Sequence, residues 1–261
     1  MATATFRFYE ELNDFLAPER RGREFACGCA PGATVKHAIE SLGVPHPEVE
    51  LVLVNGESVG FVRPLCDGDR VAVYPKFEAF DVTPLLRVRD RALRTTRFVA
   101  DVHLGGLARL LRLLGFDTLY DNRVGHEQIE QLARTQQRIV LTRDRQLLKR
   151  AGFTHGCTVR AQRPREQLRE VCDRLDLARA AQPFTRCLVC NGMLRPIGGD
   201  QLHGRVQPAL AERTPCFNMC DGCARVYWEG SHWRRMRALV DSLLACQPQL
   251  RSSAGGAGKV Q

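Results

Sequence analysis

The chain has 261 residues, 44% hydrophobic and 26% charged, enough to bury one large core or two to three small ones. No run approaches the ~18 apolar residues of a membrane helix, and no basic segment followed by an apolar stretch opens the chain, so neither a membrane span nor a secretory signal is expected and the location read is cytoplasmic. The net charge of +9 is uneven: residues 1–80 hold 8 basic and 12 acidic side chains, and the remainder 30 and 17. That excess either meets a polyanion through its phosphates or, being nearly all Arg, solvates helix faces.

ATFRFYEEL alternates like a strand, and FLAPERRGREFAC leads through a turn to a second. APGATVKHAIESLG reads as a helix, with Thr34 as N-cap and Gly43 as its stop. VELVLVNGESV is a strand followed by the Asn55-Gly56 hairpin signal, and LCDGDRVAVYPKF a turn and a final strand. The order ββαββ over residues 1–85 resembles the ubiquitin-like β-grasp fold, and VNGESVGFVRPLCDGDRVAVYP resembles the sulfur-carrier proteins of thiamine and molybdopterin synthesis. Those carriers end in a free Gly-Gly. Here the last strand runs on through Pro75, Lys76 and Phe77, so the resemblance implies a docking or RNA-positioning module with an unidentified protein partner rather than sulfur transfer. Cys27 and Cys29 form a CxC pair, read as incidental rather than as a metal or redox site. Residues 81–96 change composition and carry Pro84; they read as a linker or short helix.

From Phe98 the pattern changes. FVA is a short apolar strand, and Leu104, Leu107, Leu111 and Leu114 recur at helical spacing up to Gly115, where a left-handed cap would fall. FDTLY is a second strand, and IVLT (139–142) a third. Asp101, Asp121 and Asp144 each lie just past a strand. In an open parallel α/β sheet that is the edge where ligand sites form, and three carboxylates meeting there call for a divalent cation, Mg²⁺ or Mn²⁺. The plainer readings are helix N-caps for Asp101 and Asp144 and an ordinary turn for Asp121. Gly105 and Gly106 lack phosphate-loop spacing and read as close helix–sheet packing. TVRAQ (158–162) reads as a fourth strand, and PREQLREVCDRLDL as a helix with Pro164 in its first turn.

FVADVHLGGLARLLRLLGFDTLY, LTRDRQLLKR, CLVCNG and VYWEGSHWRRM resemble the Mut-seven C-terminal RNase domain, a PIN-like family, over residues 97 to about 240. The resemblance implies a three-layer α/β nuclease domain with a parallel sheet over 97–180, acting as a metal-dependent RNase on RNA. It implies Asp101 and Asp144 as Mg/Mn ligands. The family's acidic helix opening is replaced here by His126 and Glu127. Glu127 then either supplies the missing carboxylate beside Asp101, Asp121 and Asp144 or is a solvated helix start, and His126 is a mixed ligand, a proton shuttle or likewise solvated. Arg109, Arg143, Arg145, Lys149 and Arg150 are placed to meet substrate phosphates, although each alone is as readily a solvated charge. The rival reading is an RNA- or ribosome-binding protein with a degenerate site.

The chain has eleven cysteines, and four of them form Cys187-Leu-Val-Cys190 and Cys220-Asp-Gly-Cys223. Two CxxC knuckles supply four thiolates, which close a tetrahedral structural Zn²⁺ and leave no position for water; a zinc ribbon is expected over 183–245. Cys216 has poorer spacing. Trp228, His232, Trp233, Arg234, Arg235 and Arg237 either stack bases and pair with phosphates or pack the ribbon onto its neighbour. RALVDSLLA closes the fold as a helix, and residues 246–261 are a low-complexity tail expected to be disordered.

Overall fold

The computed structural model describes residues 2–76, 83–88, 96–150 and 153–245. The tail (246–261) and most of the 81–96 segment fall outside the described residues.

The N-terminal sheet has the order β2-β1-β5-β3-β4, from β1 (Ala2–Phe8), β2 (Phe25–Cys29), β3 (Leu51–Val54), β4 (Glu57–Ser58) and β5 (Arg70–Tyr74), with α1 (Val35–Ser41) between β2 and β3. β1 and β5 pair in parallel and the other neighbours antiparallel, which is the β-grasp arrangement. Alternation along β1 buries Ala4, Phe6 and Phe8 beneath α1. The Thr34 hydroxyl accepts from the His37 amide at 3.3 Å, capping α1, and Gly43 follows the helix at φ 102°. Asn55 and Gly56 both have positive φ (54° and 88°), as a two-residue primed hairpin requires.

The central sheet is built from β6 (Arg97–Ala100), α2 (Gly105–Leu113), β7 (Asp117–Leu119), α3 (His126–Gln136), β8 (Ile139–Thr142), α4 (Arg145–Leu148), β9 (Gly156–Thr158) and α5 (Pro164–Leu175). All four strands are parallel, in the order β7-β6-β8-β9. Phe98, Ala100, Ile139 and Leu141 pack with the leucines of α2 and with α5 on one face; Val99 and Val140 pack with Ile129, Ala133, Leu147 and Leu148 of α3 and α4 on the other. The result is a three-layer α/β/α sandwich. Gly105 and Gly106 let α2 approach its neighbours: a Cβ at either would come within 2.6 Å of Tyr120 or Pro164. Gly115 (φ 90°) ends the last turn as expected. The fourth strand lies earlier than TVRAQ suggested. It ends at Thr158 because the Arg160 and Ala161 amides turn to the Glu170 carboxylate (3.0 and 2.9 Å) instead of to a strand.

The C-terminal part holds β10 (Leu194–Ile197), α6 (Pro208–Arg213), β11 (Phe217–Cys220), β12 (Val226–Trp228) and α7 (Ser231–Ala245), with the strands antiparallel in the order β10-β11-β12. Val240 of α7 is buried in the central core.

Both outer edges of the parallel sheet are sealed by the flanking parts. At the β9 edge, the Thr158 amide donates to Glu48 Oε1 (2.5 Å), and the Thr158 carbonyl accepts from Arg174 (2.9 Å). Arg174 also pairs with Glu48 Oε2 at 2.6 Å. At the β7 edge, the Thr118 amide donates to Asn191 Oδ1 (3.0 Å), and the Thr118 carbonyl accepts from Arg112 Nε (2.9 Å). Asn191 donates in turn to Asp117 Oδ1 (2.8 Å), which Arg138 also holds (2.7 Å). Around the β9 contact, His46 bridges Glu40 and the Phe153 carbonyl (2.7 and 2.9 Å), and Arg145 and Arg160 lie over the Phe15 ring.

Candidate functional site

Thr142 and Thr158 end β8 and β9 and pair with each other, Asp101 is one residue past the end of β6, and Asp121 two residues past the end of β7, all on the carboxyl side of the sheet. Asp101 follows Ala100 directly and is buried, 2% exposed. Its backbone amide donates to the Leu141 carbonyl (2.9 Å), so it continues the ladder and is fixed by the sheet. Its side chain does not cap the following turn. Oδ2 accepts from the Thr142 hydroxyl at 2.7 Å. Oδ1 is buried with no hydrogen-bond partner among the described residues. A buried carboxylate oxygen with neither donor nor cation is costly, which fits a donor set made for a hard cation.

Asp144 stands on the same hydroxyl. Its amide donates to Thr142 Oγ1 at 3.0 Å, while its Oδ1 accepts from the Gln146 amide at 2.8 Å and so caps α4. Asp101 and Asp144 thus flank Thr142 within two hydrogen bonds of each other. Thr142 itself was not singled out in the sequence, where a threonine ending an apolar strand carries no signal.

The other carboxylates are differently placed. Asp121 is exposed in the turn after β7, with Oδ1 accepting from the Arg123 amide (2.9 Å). His126 and Glu127 are exposed in the first turn of α3. Among the described residues, the group of three or more His, Cys, Asp or Glu side chains placed to hold a metal is the cysteine set, and the four acidic groups form no such cluster. Magnesium commonly takes one or two carboxylates and keeps several waters, so a site at Asp101 would not need all four acidic groups.

The expected phosphate contacts also divide. Arg143 is exposed and donates to Gln162 (2.8 Å) near the carboxylate edge. Arg145 lies 5.2 Å from the Phe15 ring centroid, and Lys149 donates to the Glu40 carbonyl (3.0 Å), so both lie at the contact with the N-terminal part. Arg150 is exposed just past α4. Arg109 projects from the exposed face of α2.

The four cysteines do converge. Cys187, Cys190, Cys220 and Cys223 place their sulfurs within 4.8 Å of one another, with Sγ–Sγ separations of 3.6 Å (Cys187–Cys223) and 3.2 Å (Cys190–Cys220). Tetrahedral zinc with ~2.3 Å bonds spaces its sulfurs ~3.8 Å apart, so the set fits. The Cys190 and Gly222 amides point at Cys187 and Cys220 sulfur (3.5 and 3.3 Å), the knuckle geometry. Burial alone would raise the Cys187 thiol, but the Cys190 amide and the Tyr227 hydroxyl (3.0 Å) bring it down to about 6. Cys216 is exposed and lies outside the group, as do Cys27 and Cys29.

No helix among the described residues is long and apolar enough to cross a membrane. The family model of the Mut7-C RNAse domain matches residues 96–240, and that of the Mut7-C ubiquitin matches residues 1–81. Among solved structures, the small archaeal modifier protein 1 of H. volcanii is similar at 20% identity, covering 30% of this chain and 100% of that one, with a TM-score of 0.25. A putative molybdopterin converting factor subunit 1 from Pyrococcus furiosus is similar at 18% identity over the same shares, with a TM-score of 0.24. A search of curated proteins found no match.

Proposed function

The chain belongs to the Mut7-C RNAse domain family, and from that premise we propose that it is a metal-dependent ribonuclease whose centre is Asp101. The observation that carries this reading is the bare, buried Oδ1 of Asp101 at the carboxyl edge of a parallel sheet. A bound Mg²⁺ or Mn²⁺ supplies an acidified water and charge neutralisation at the scissile phosphate. Asp101 and Asp144 would hold it, and Asp121 and Glu127 would contribute through water. The Thr142 hydroxyl turns Asp101 so that one oxygen is hydrogen-bonded and the other stays available. Arg143, exposed one residue past Thr142 and held by Gln162, is the predicted cation we assign to phosphate at this edge. The four cysteines hold a structural Zn²⁺, which keeps the ribbon folded and takes no part in hydrolysis. The β-grasp part serves as a docking module, in part for the chain's own nuclease sheet.

The test is cleavage of single-stranded and structured RNA with Mn²⁺. Asp101→Asn and Asp144→Asn are expected to lose about 100-fold or more relative to the parent chain, by loss of metal. Thr142→Val, which leaves both carboxylates in place, is expected to lose about 10-fold to 100-fold, the usual cost of removing a group that orients a ligand. One observation favours a second reading: the acidic groups do not gather into a set of three. A parent chain that binds RNA yet cleaves none of it would replace the ribonuclease by an RNA-binding protein with a degenerate centre.

A further inference from the structure

A cleft of about 490 Å³ opens between α2, the ribbon strands and the start of α7, within the ~300–1,000 Å³ range of ligand sites. Its walls are aromatic and cationic. Trp228 is 40% exposed at the end of β12. Trp233 packs against Phe184 (ring centroids 5.1 Å apart), and Arg237 lies 5.9 Å from the Trp233 centroid. Arg109 from α2 and Arg225 from the second knuckle complete the rim, and neither guanidinium makes a hydrogen bond or ion pair among the described residues. Four arginines line the cleft against one carboxylate, Glu229.

We propose that this cleft binds one unpaired nucleotide of a single-stranded RNA, at a subsite separate from the carboxylate edge. The inference rests on the ribonuclease reading for the identity of the polymer. Trp228, exposed and backed by Phe217 (ring centroids 6.4 Å apart), offers an indole for the base, and Arg225 and Arg109 offer unpaired cations for the flanking phosphates. Stacking on an aromatic face is open to an unpaired base and closed to one inside a duplex. Free guanidinium groups beside exposed aromatics suit a polyanion carrying flat apolar faces better than an acidic peptide, which has the charge without the faces. The geometry also gives the cleft a relation to the site. Arg109 lies eight residues past Asp101, on α2, which follows the Val102–Leu104 turn and so links the cleft to the carboxylate edge.

The experiment is fluorescence anisotropy of a labelled single-stranded RNA decamer with the full zinc-loaded chain, without added Mg²⁺ or Mn²⁺. Trp228→Ala is expected to weaken binding about 10-fold, and Trp228→Phe to retain most of it. Arg225→Glu, an exposed charge reversal, is expected to weaken binding at least as much and to make the remainder less sensitive to salt. The zinc content of each variant checks that the ribbon is intact. Photocrosslinking of the same decamer carrying 4-thiouridine is expected to mark the 225–237 peptide. Unchanged affinity in Trp228→Ala and Arg225→Glu, equal affinity for the duplex, or no binding by the parent would each overturn the proposal. Failure of the ribonuclease reading shows separately, as RNA bound in this cleft but left uncut when Mn²⁺ is added.

Discussion

The two edges of the central sheet pose the same problem and are closed in two different chemistries. Each outer strand presents a threonine whose amide has no strand to pair with. On β9 the acceptor for Thr158 is the carboxylate of Glu48, with Arg174 closing the triangle by holding both that carboxylate and the Thr158 carbonyl. On β7 the acceptor for Thr118 is the neutral amide of Asn191, while Arg112 donates to backbone carbonyls of Thr118 and Val189. Burial works against the charge on both arginines. It lowers Arg112, which has only carbonyls as direct acceptors, whereas the carboxylates around Arg174 outweigh it and raise that group. One edge is thus clamped by an ion pair between Glu48 of the β-grasp part and Arg174 of α5. The other is clamped by dipoles brought by a cysteine knuckle, and its stability is tied to whatever holds that knuckle.

Removing the zinc proposed for the four cysteines should break the comparison most completely. Chelation, or Cys187→Ser with Cys190→Ser, is expected to unfold the ribbon, because thiolate–zinc binding contributes ~10–16 kcal/mol to small zinc modules. Hydrogen exchange should then show the Thr118 amide deprotected and the Thr158 amide still protected. Equal loss at both would show that the edges are not independent. Next in size, Glu48→Ala leaves Arg174 buried without its nearest anion. A cost of about 3–5 kcal/mol in urea unfolding is expected, with deprotection confined to the β9 side. Asn191→Ala should cost less, about 1–3 kcal/mol, through unmet donors at Thr118 and the strain of an alanine at φ 71°.

Smallest is the response to acid. Burial would raise the Asp117 carboxyl, but Arg138 and Asn191 hold it below its ordinary value. Its contribution is therefore present above the unfolded value of ~3.9 and is lost as pH falls through the lower folded value. Stability should decline below about pH 4 more steeply in the parent than in Asp117→Asn. Matching acid profiles would remove Asp117 from the account.

What the sequence made readable is what neighbours in the chain decide. Thr34 caps the residue three along, Asn55-Gly56 sets one turn, Gly115 ends one helix, and two CxxC pairs announce a tetrad. Period-two alternation located β1, an apolar run β8 and helical leucine spacing α2, for the same reason. Asp101 was legible as a strand-end carboxylate, but its bare oxygen was not, because that depends on a hydroxyl 41 residues away. Glu48 and Asn191 carried no signal. Their partners lie 110 and 73 residues off, and an isolated Glu or Asn in a loop looks like any solvated side chain. Asp121 was read from its place after a strand, and Glu127 from the helix opening that the family resemblance implies. The register puts Asp121 level with Asp101, yet the Asx turn at Arg123 accounts for its carboxylate locally.

The doubly sealed sheet bears on how this protein can be dissected. A fragment cut to the nuclease segment alone would carry two naked strand borders, each an open template for another copy. Such a truncation should assemble into oligomers or precipitate in proportion to its concentration, and adding back either flanking piece should suppress growth from one side only.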